Sequence, residues 1–279
     1  MPEAIRNISD TAFLTAAHRA IETERSGGIF KDPFARRLTG ARGEVIEKAL
    51  GGGMRDHWAW AARTYLFDQL ILDHVAQGAD TVVNLAAGLD ARPYRMALPS
   101  TLRWIEVDLP EVIAYKSGVL ASDRPVCTVE RIDADLADVA GRRTLFARIG
   151  ASARRALVVT EGIIIYLSSE EVAAFARDVA AVPAFSSWAL DVASPGLLRL
   201  MQKRMGQQLA SANAALKFAP PEGPAFFEPH GWRPVEVHSL LKSAARMMRL
   251  PLILRLTSRL PVRGGPNRVW SAVCLMERR

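Results

Sequence analysis

From Thr81 onward the chain alternates short apolar runs with amphipathic stretches. Thr81–Ala86, Leu102–Val107, Val126–Ile132, Leu157–Thr160 and Ser187–Val192 are the apolar or β-branched runs. Arg92–Leu98, Glu111–Ala121, Val139–Ile149 and Ser168–Ala181 lie between them with helical character, and Ser168 or Ser169 can cap the last. Such alternation predicts an α/β fold with a parallel, doubly wound sheet. Trp232–His238 and Val269–Met276 add two later strands, separated by a basic helix, for a mostly parallel seven-stranded sheet. The first 76 residues predict helix instead. Thr11–Arg25 ends at Gly27-Gly28; Asp32 as cap and Pro33 at the first helical position open a short helix through Leu38; Gly51-Gly52-Gly53 is a flexible break; His57–Val75 is helical again. Residues 195–230 start helical, turn rich in Pro and Phe, and look like an insertion over the sheet. The expected organisation is one domain over 1–279: a helical cover (1–76), a βα core (77–194), a lid (195–230), and the last strands with the basic helix (231–279).

Composition narrows the class without naming a function. A chain of 279 residues, 49% hydrophobic and 23% charged, has the makeup of an ordinary globular α/β protein. Its longest apolar stretch, Ala156 to Leu167, is broken by Glu161 and is too short to span a membrane. Glu3 and Asp10 stand where a signal peptide would be basic then apolar, so a cytoplasmic location is expected. Cys127 and Cys274 have no Cys or His neighbour at metal-ligand spacing, so they are expected as reduced core residues, with no metal. The net charge of +7 is concentrated after Ser239, where nine Lys and Arg face a single acid, Glu277. Trp270 is the one aromatic residue of that segment, which argues against nucleic acid as a partner and for a solvated basic face. Oligomeric state leaves no mark in the sequence.

The block Val82-Val83-Asn84-Leu85-Ala86-Ala87-Gly88-Leu89-Asp90-Ala91-Arg92-Pro93-Tyr94-Arg95 reads as a buried strand, a small-residue turn and a helix start. In an open α/β sheet that turn, outside the carboxyl end of the first strand, is where ligands bind. The next three strands end near Asp108, Asp135 and Glu161, with gaps of 20, 27 and 26 residues, each about one βα unit. One rim therefore collects three carboxylates around one glycine turn. A dinucleotide needs a G-x-G-x-x-G turn for its pyrophosphate; this turn has one glycine followed by Asp90. That argues against an NAD-linked oxidoreductase. Carboxylates suit a ribose, an amine and a sulfonium cation, which is the donor pattern of S-adenosylmethionine, a cofactor without phosphate.

Several motifs extend the pattern. Phe30-Lys31-Asp32-Pro33-Phe34-Ala35, Ala62-Arg63-Thr64-Tyr65-Leu66-Phe67-Asp68, Ile105-Glu106-Val107-Asp108-Leu109-Pro110 with Lys116, Asp135-Leu136, and Glu161-Gly162-Ile163-Ile164-Ile165-Tyr166-Leu167 occur in this order. With them the chain resembles the leucine carboxyl methyltransferase-like family of S-adenosylmethionine-dependent O-methyltransferases, in its polyketide-type branch. The resemblance implies a class I methyltransferase (Rossmann-like) fold and S-adenosyl-L-methionine as cofactor. It also implies roles: Arg63 for the cofactor carboxylate, Gly88 for close backbone approach, Asp108 for the ribose hydroxyls, Asp135 with Leu136 for the adenine, and Glu161 for the amine or the reaction chamber. Tyr166, His57 and His230 are the candidates for a base or a substrate contact, Tyr166 being the catalytic choice. Arg92 and Arg95 are expected to be structural. Where the family often carries Arg after Asp-Leu this chain has Ala137, which argues against a protein C-terminal carboxylate as substrate. A small-molecule hydroxyl or carboxylate acceptor is expected, and a non-catalytic S-adenosylmethionine-binding protein is the other reading. The resemblance thins over 195–265, where acceptor specificity is expected to lie.

Overall fold

The computed structural model describes residues 9–49, 57–211, 214–247, 250 and 268–279. Strands β1 (Thr81–Leu85), β2 (Arg103–Asp108), β3 (Thr128–Asp133), β4 (Ala156–Thr160), β5 (Phe185–Ala193), β6 (Trp232–Ser239) and β7 (Ser271–Arg278) form one sheet. Their order is β3-β2-β1-β4-β5-β7-β6. The first five are mutually parallel, and β7 runs antiparallel to both β5 and β6. Strand order reverses between β1 and β4, so a crevice opens at the carboxyl ends of those two strands. The expected mostly parallel seven-stranded sheet of the class I methyltransferase type is the sheet observed.

Successive strand residues point to opposite faces, and both faces are covered. Val83, Leu85, Ile105, Val107, Val158, Trp188 and Leu190 pack against α6 (Val139–Ala151) and α7 (Ser169–Ala180). Val82, Trp104, Leu157, Val159 and Ala189 pack on the other side against α3 (His57–Ala76) and α9 (Leu240–Arg246). Helix α3 is thus a layer of the sandwich, while α1 (Asp10–Glu24) and α2 (Ala35–Ala49) lie over the rim. Short helices α4 (Arg92–Arg95) and α5 (Pro110–Val119) follow β1 and β2; α8 (Pro195–Ser211) and a 3₁₀ segment, Gly223–His230, occupy the expected insertion.

Two helices differ in extent from the sequence reading. The Asp32 carboxylate accepts from Phe34 N at 3.1 Å, the bond expected of a cap, and its other oxygen is buried on Arg19, but regular helix in α2 begins at Ala35, two residues past Pro33. That helix also runs past Leu38, through a kink at Gly40, to Ala49. Helix α4 stops at Arg95 rather than Leu98, where Met96 turns extended ahead of Pro99. Ser168 caps α7 in a reciprocal capping box with Glu171. The Gly51-Gly52-Gly53 break and most of the basic stretch after Arg246 lie outside the described residues. Among the described residues, no helix is long and apolar enough to cross a membrane.

Under β2 the side chains of Glu106 and Lys116 are fully buried and ion-paired at 2.9 Å, and Arg131 adds a second cation to Glu106 at 2.9 Å. Removing one partner of a buried pair leaves an uncompensated charge. Glu106→Gln is therefore expected to lower unfolding free energy in a denaturant titration by about 3–5 kcal/mol, and pairing it with Lys116→Met is expected to recover most of the loss.

Candidate functional site

Parallel strands deliver their carboxyl ends to one rim, and the site is built there. The turn after β1 is sharp: Ala86 has φ +54°, a left-handed conformation that costs an alanine roughly 1–2 kcal/mol. Gly88 follows at φ +51°, and a Cβ built on it would come within 3.2 Å of the Ala12 Cβ on α1. Small residues are needed here because α1 lies directly on the turn. Beside it, between α1 and α5, is a cavity of about 200 Å³ bordered by Ala12, Phe13, Leu89 and Tyr115.

Asp108 ends β2 and reaches across to β1. Its Oδ2 accepts from Gly88 N at 2.6 Å and its Oδ1 from Leu109 N at 2.8 Å. Burial pushes its carboxyl above the usual range, although both backbone donors pull it down. It does not cap α5 through the N2 or N3 amide, which was the plain alternative to a ligand role. Beyond β3, Asp135 is exposed and forms an Asx turn with Ala137 N at 2.8 Å; Leu136 packs against the core and its carbonyl accepts from Arg142 at 2.7 Å.

The centre of the rim is ionic. Arg63, on α3, donates from Nε to Glu161 Oε1 at 3.1 Å and from Nη1 to Asp191 Oδ2 at 3.4 Å, while its guanidinium lies 4.6 Å from the Trp60 ring centre. Glu161 Oε2 pairs with Arg92 Nη2 at 2.9 Å. Asp191, near the end of β5, also accepts from Gly162 N at 2.7 Å, and burial pushes its carboxyl upward against the pull of Arg63. Gly162 has φ +78° and a Cβ there would sit 3.1 Å from Arg63 Nη1, so glycine clears the space the guanidinium uses. Arg63 does not pair with Asp68, the bland alternative for it. Asp68 instead receives Arg92 at 2.6 Å and Arg95 at 2.7 Å. Arg92 also bonds Asp90, whose carboxyl burial would raise but which Arg92, with Lys116, Arg19 and Arg95 beyond it, holds well below the usual range.

The candidate bases separate. Tyr166 lies in the 3₁₀ turn after β4, bonded to the Thr11 hydroxyl, and burial pushes its phenol above the usual range. It stays protonated at neutral pH and so can donate a hydrogen bond but not act as a phenolate base. His57 is buried against Glu22 at 3.0 Å. His230 precedes β6, whose first residue pairs with Arg278 at the end of β7, beside the start of β5; this is the opposite edge of the sheet from the rim. It contacts Arg177 there and takes no part in the site.

Sequence reasoning missed Asp191 and His18. The first was legible by the same rule that selects Glu161, as an acid interrupting an apolar strand near its carboxyl end. His18 had no such signal, since its partners His57, Trp60 and Arg63 lie more than 38 residues away along the chain.

The sequence profile of the leucine carboxyl methyltransferase family matches residues 12–180. A protein of Parafrankia sp. (strain EAN1pec), named as an S-adenosyl-L-methionine-dependent methyltransferase, is 32% identical over 261 residues, 88% of this chain and 82% of that one. The chain belongs to the leucine carboxyl methyltransferase family. A similarly named protein of Mycobacterium ulcerans is 41% identical over 128 residues, 41% of this chain and 42% of its own. The crystal structure of a DUF574-family protein from Streptomyces avermitilis superposes with TM-score 0.61 at 16% identity, covering 96% of this chain and 97% of that one, which supports the fold.

The family implies S-adenosylmethionine, and the donor set fits it. Arg63 supplies a planar cation for a carboxylate, Glu161 and Asp191 supply acceptors for an ammonium, and Asp108 keeps a carboxylate at the tip of β2 for hydroxyls. If Asp108 has that role, Asp108→Ala is expected to weaken S-adenosylhomocysteine binding by about 1.5–3 kcal/mol in calorimetry, and also to lower the melting temperature of the ligand-free chain, because Gly88 N and Leu109 N lose their acceptor. Unaltered affinity would return Asp108 to a purely backbone-bracing role.

Proposed function

We propose that the chain transfers a methyl group from S-adenosylmethionine to the oxygen of a small, mostly apolar compound, polyketide-like in size and character, with a hydroxyl favoured over a carboxylate. The observation that carries this reading is Arg63, fixed over Trp60 between two carboxylates at the sheet rim, with a cluster of apolar side chains beside it. An amino-acid end is a zwitterion, and Arg63 with Glu161 and Asp191 presents the complementary charges. A charge-assisted pair of this kind is stronger than a neutral hydrogen bond. Asp108 takes the ribose hydroxyls in this reading, Asp135 and Leu136 border the adenine, and Gly88 lets the turn approach.

Phe13, Leu14, Trp60, Ile165, Tyr166 and Leu198 form the apolar cluster next to that ionic centre, drawn from α1, α3, the turn after β4 and α8. This is the reaction chamber in our reading, with α8 and the following segment as its lid. It holds Tyr166 as a hydrogen-bond donor for the acceptor oxygen. No arginine follows Asp135-Leu136, where Ala137 stands, so the chamber lacks that cation for an acidic acceptor. The cofactor supplies an electrophilic methyl group; the chain's part is to align the acceptor oxygen in line with it and to exclude water. Orientation of this kind is worth roughly 7–11 kcal/mol. Both cysteines are free and buried, and burial pushes their thiols up to about 11 and about 12, which suits a reducing cytoplasm.

The test is turnover with methyl-labelled S-adenosylmethionine and matched bicyclic acceptors, 1-naphthol against 1-naphthoic acid, extended to larger phenols and their acids. Labelled methyl ethers are expected and methyl esters are not. Ester products alone would overturn the hydroxyl preference, and cofactor binding without any labelled product would favour a binding protein.

A further inference from the structure

The reaction at a hydroxyl releases a proton, and Tyr166 cannot take it. A chain of three buried groups in the helical cover can. Glu22 on α1 has no exposed side-chain surface, accepts from Ile29 N at 2.8 Å through Oε1, and meets His57 Nε2 at 3.0 Å through Oε2. His57 Nδ1 meets His18 Nδ1 at 3.3 Å. The two ring centres are 5.5 Å apart, close to that 3.3 Å gap plus the two ring radii, so the nitrogens face each other near the line joining the rings. His18 then stacks on Trp60 at 4.8 Å with the planes 9° apart.

The far nitrogen of His18 is the open end of this chain. Imidazole geometry turns Nε2 away from His57, and among the described residues it has no hydrogen-bond partner, although His18 is only 5% exposed. Thr11, Leu14 and His18 share one face of α1 at helical spacing. Thr11 bonds Tyr166 and Leu14 packs in the apolar cluster around Tyr166, so this face leads from that cluster to His18. Trp60, which His18 stacks on, also carries Arg63. A buried carboxylate is costly unless it is paired, and an α1–α3 contact could have been made with apolar residues alone.

We propose that Glu22, His57 and His18 form a proton relay in which His18 Nε2 receives the hydroxyl proton of the acceptor. In the starting state His57 holds its proton on Nε2 toward Glu22, His18 holds its proton on Nδ1 toward His57, and His18 Nε2 is bare. As the acceptor oxygen bonds to the methyl carbon and the carbon–sulfur bond breaks, the oxygen's proton moves to His18 Nε2. The Nδ1 proton of His18 passes to His57 Nδ1. The positive charge lost by the sulfonium ends on His57, against the Glu22 carboxylate, and the cofactor leaves as a neutral sulfide. His18 never has to rest as a cation. That agrees with its surroundings: burial, then His57, then Arg63 lower it to about 3. His18 touches the acceptor in this scheme and is the catalytic residue; His57 and Glu22 act through it as positioning residues.

The inference rests on methyl transfer to a hydroxyl in this chamber, and its test reads the relay separately. Full-length protein labelled with ¹⁵N-histidine is saturated with S-adenosylhomocysteine and followed by long-range ¹H–¹⁵N correlation between pH 6 and 9, with His18→Phe and His57→Phe for assignment. His18 is expected in the Nδ1–H form with a bare Nε2 across the range, and Glu22→Gln is expected to shift the His18 and His57 tautomers together. A proton found on His18 Nε2 at rest, or tautomers indifferent to Glu22→Gln, would overturn the relay. A wild-type protein that S-adenosylhomocysteine does not saturate would overturn the methyltransferase reading on which the relay rests.

Discussion

Glu161 is shared by two arginines, and the functional end of the molecule hangs from that contact. One carboxylate oxygen takes Arg63 from α3 and the other takes Arg92 from α4, and each arginine carries the connection further. Arg63 continues to Asp191 on β5. Arg92 continues to Asp90 and Asp68, Asp68 to Arg95, and Arg95 to Asp32, where Arg19 of α1 also ends. The line of charges therefore runs from the rim of the sheet through the turn after β1 and into the helical cover. Most of its members are nearly sealed from water. Such groups are costly when left alone and effective only when geometry supplies every partner, so the cover, the turn and the rim must close in register with one another.

This constraint gives Arg63 its character. A guanidinium held by two carboxylates and a tryptophan face is pre-oriented before any ligand arrives, and less entropy is lost when it binds one. The same neighbours leave local negative charge in excess, which suits the ammonium group of an amino-acid end. Ala86 adds a strained turn at the same place, a cost that persists only where surrounding contacts fix it. In this structure those contacts are the Asp108 bond to Gly88 N and the packing of Ala12.

The sheet was legible in the sequence because parallel strands are short apolar runs between amphipathic helices, and each of β1 to β5 lies within two residues of its expected place. The rim acids were legible for a related reason: an acid ending an apolar run has few positions to occupy except the carboxyl edge. What the sequence did not carry is pairing across distance. Asp32 and Pro33 form a helix-opening pattern and one carboxylate oxygen does meet Phe34 N, but nothing local tells that the other is buried on Arg19. His230 had the same standing as His57 until strand order placed it on the opposite edge. His18 sits in an alanine-rich helix with nothing local to mark it, and only the packing of α1 on α3 brings it to His57 and Trp60.

The central claim is that Arg63 grips the amino-acid end of the cofactor. Calorimetry of Arg63→Lys with two ligands tests it most directly, because S-adenosylhomocysteine has that end and methylthioadenosine does not. Lysine keeps the charge but loses the planar fork. The account predicts that S-adenosylhomocysteine affinity falls by about tenfold or more, the scale of one charge-assisted bond, while methylthioadenosine affinity stays within about twofold. Equal losses for both ligands would contradict it, and would make Arg63 a brace for Glu161 and the rim.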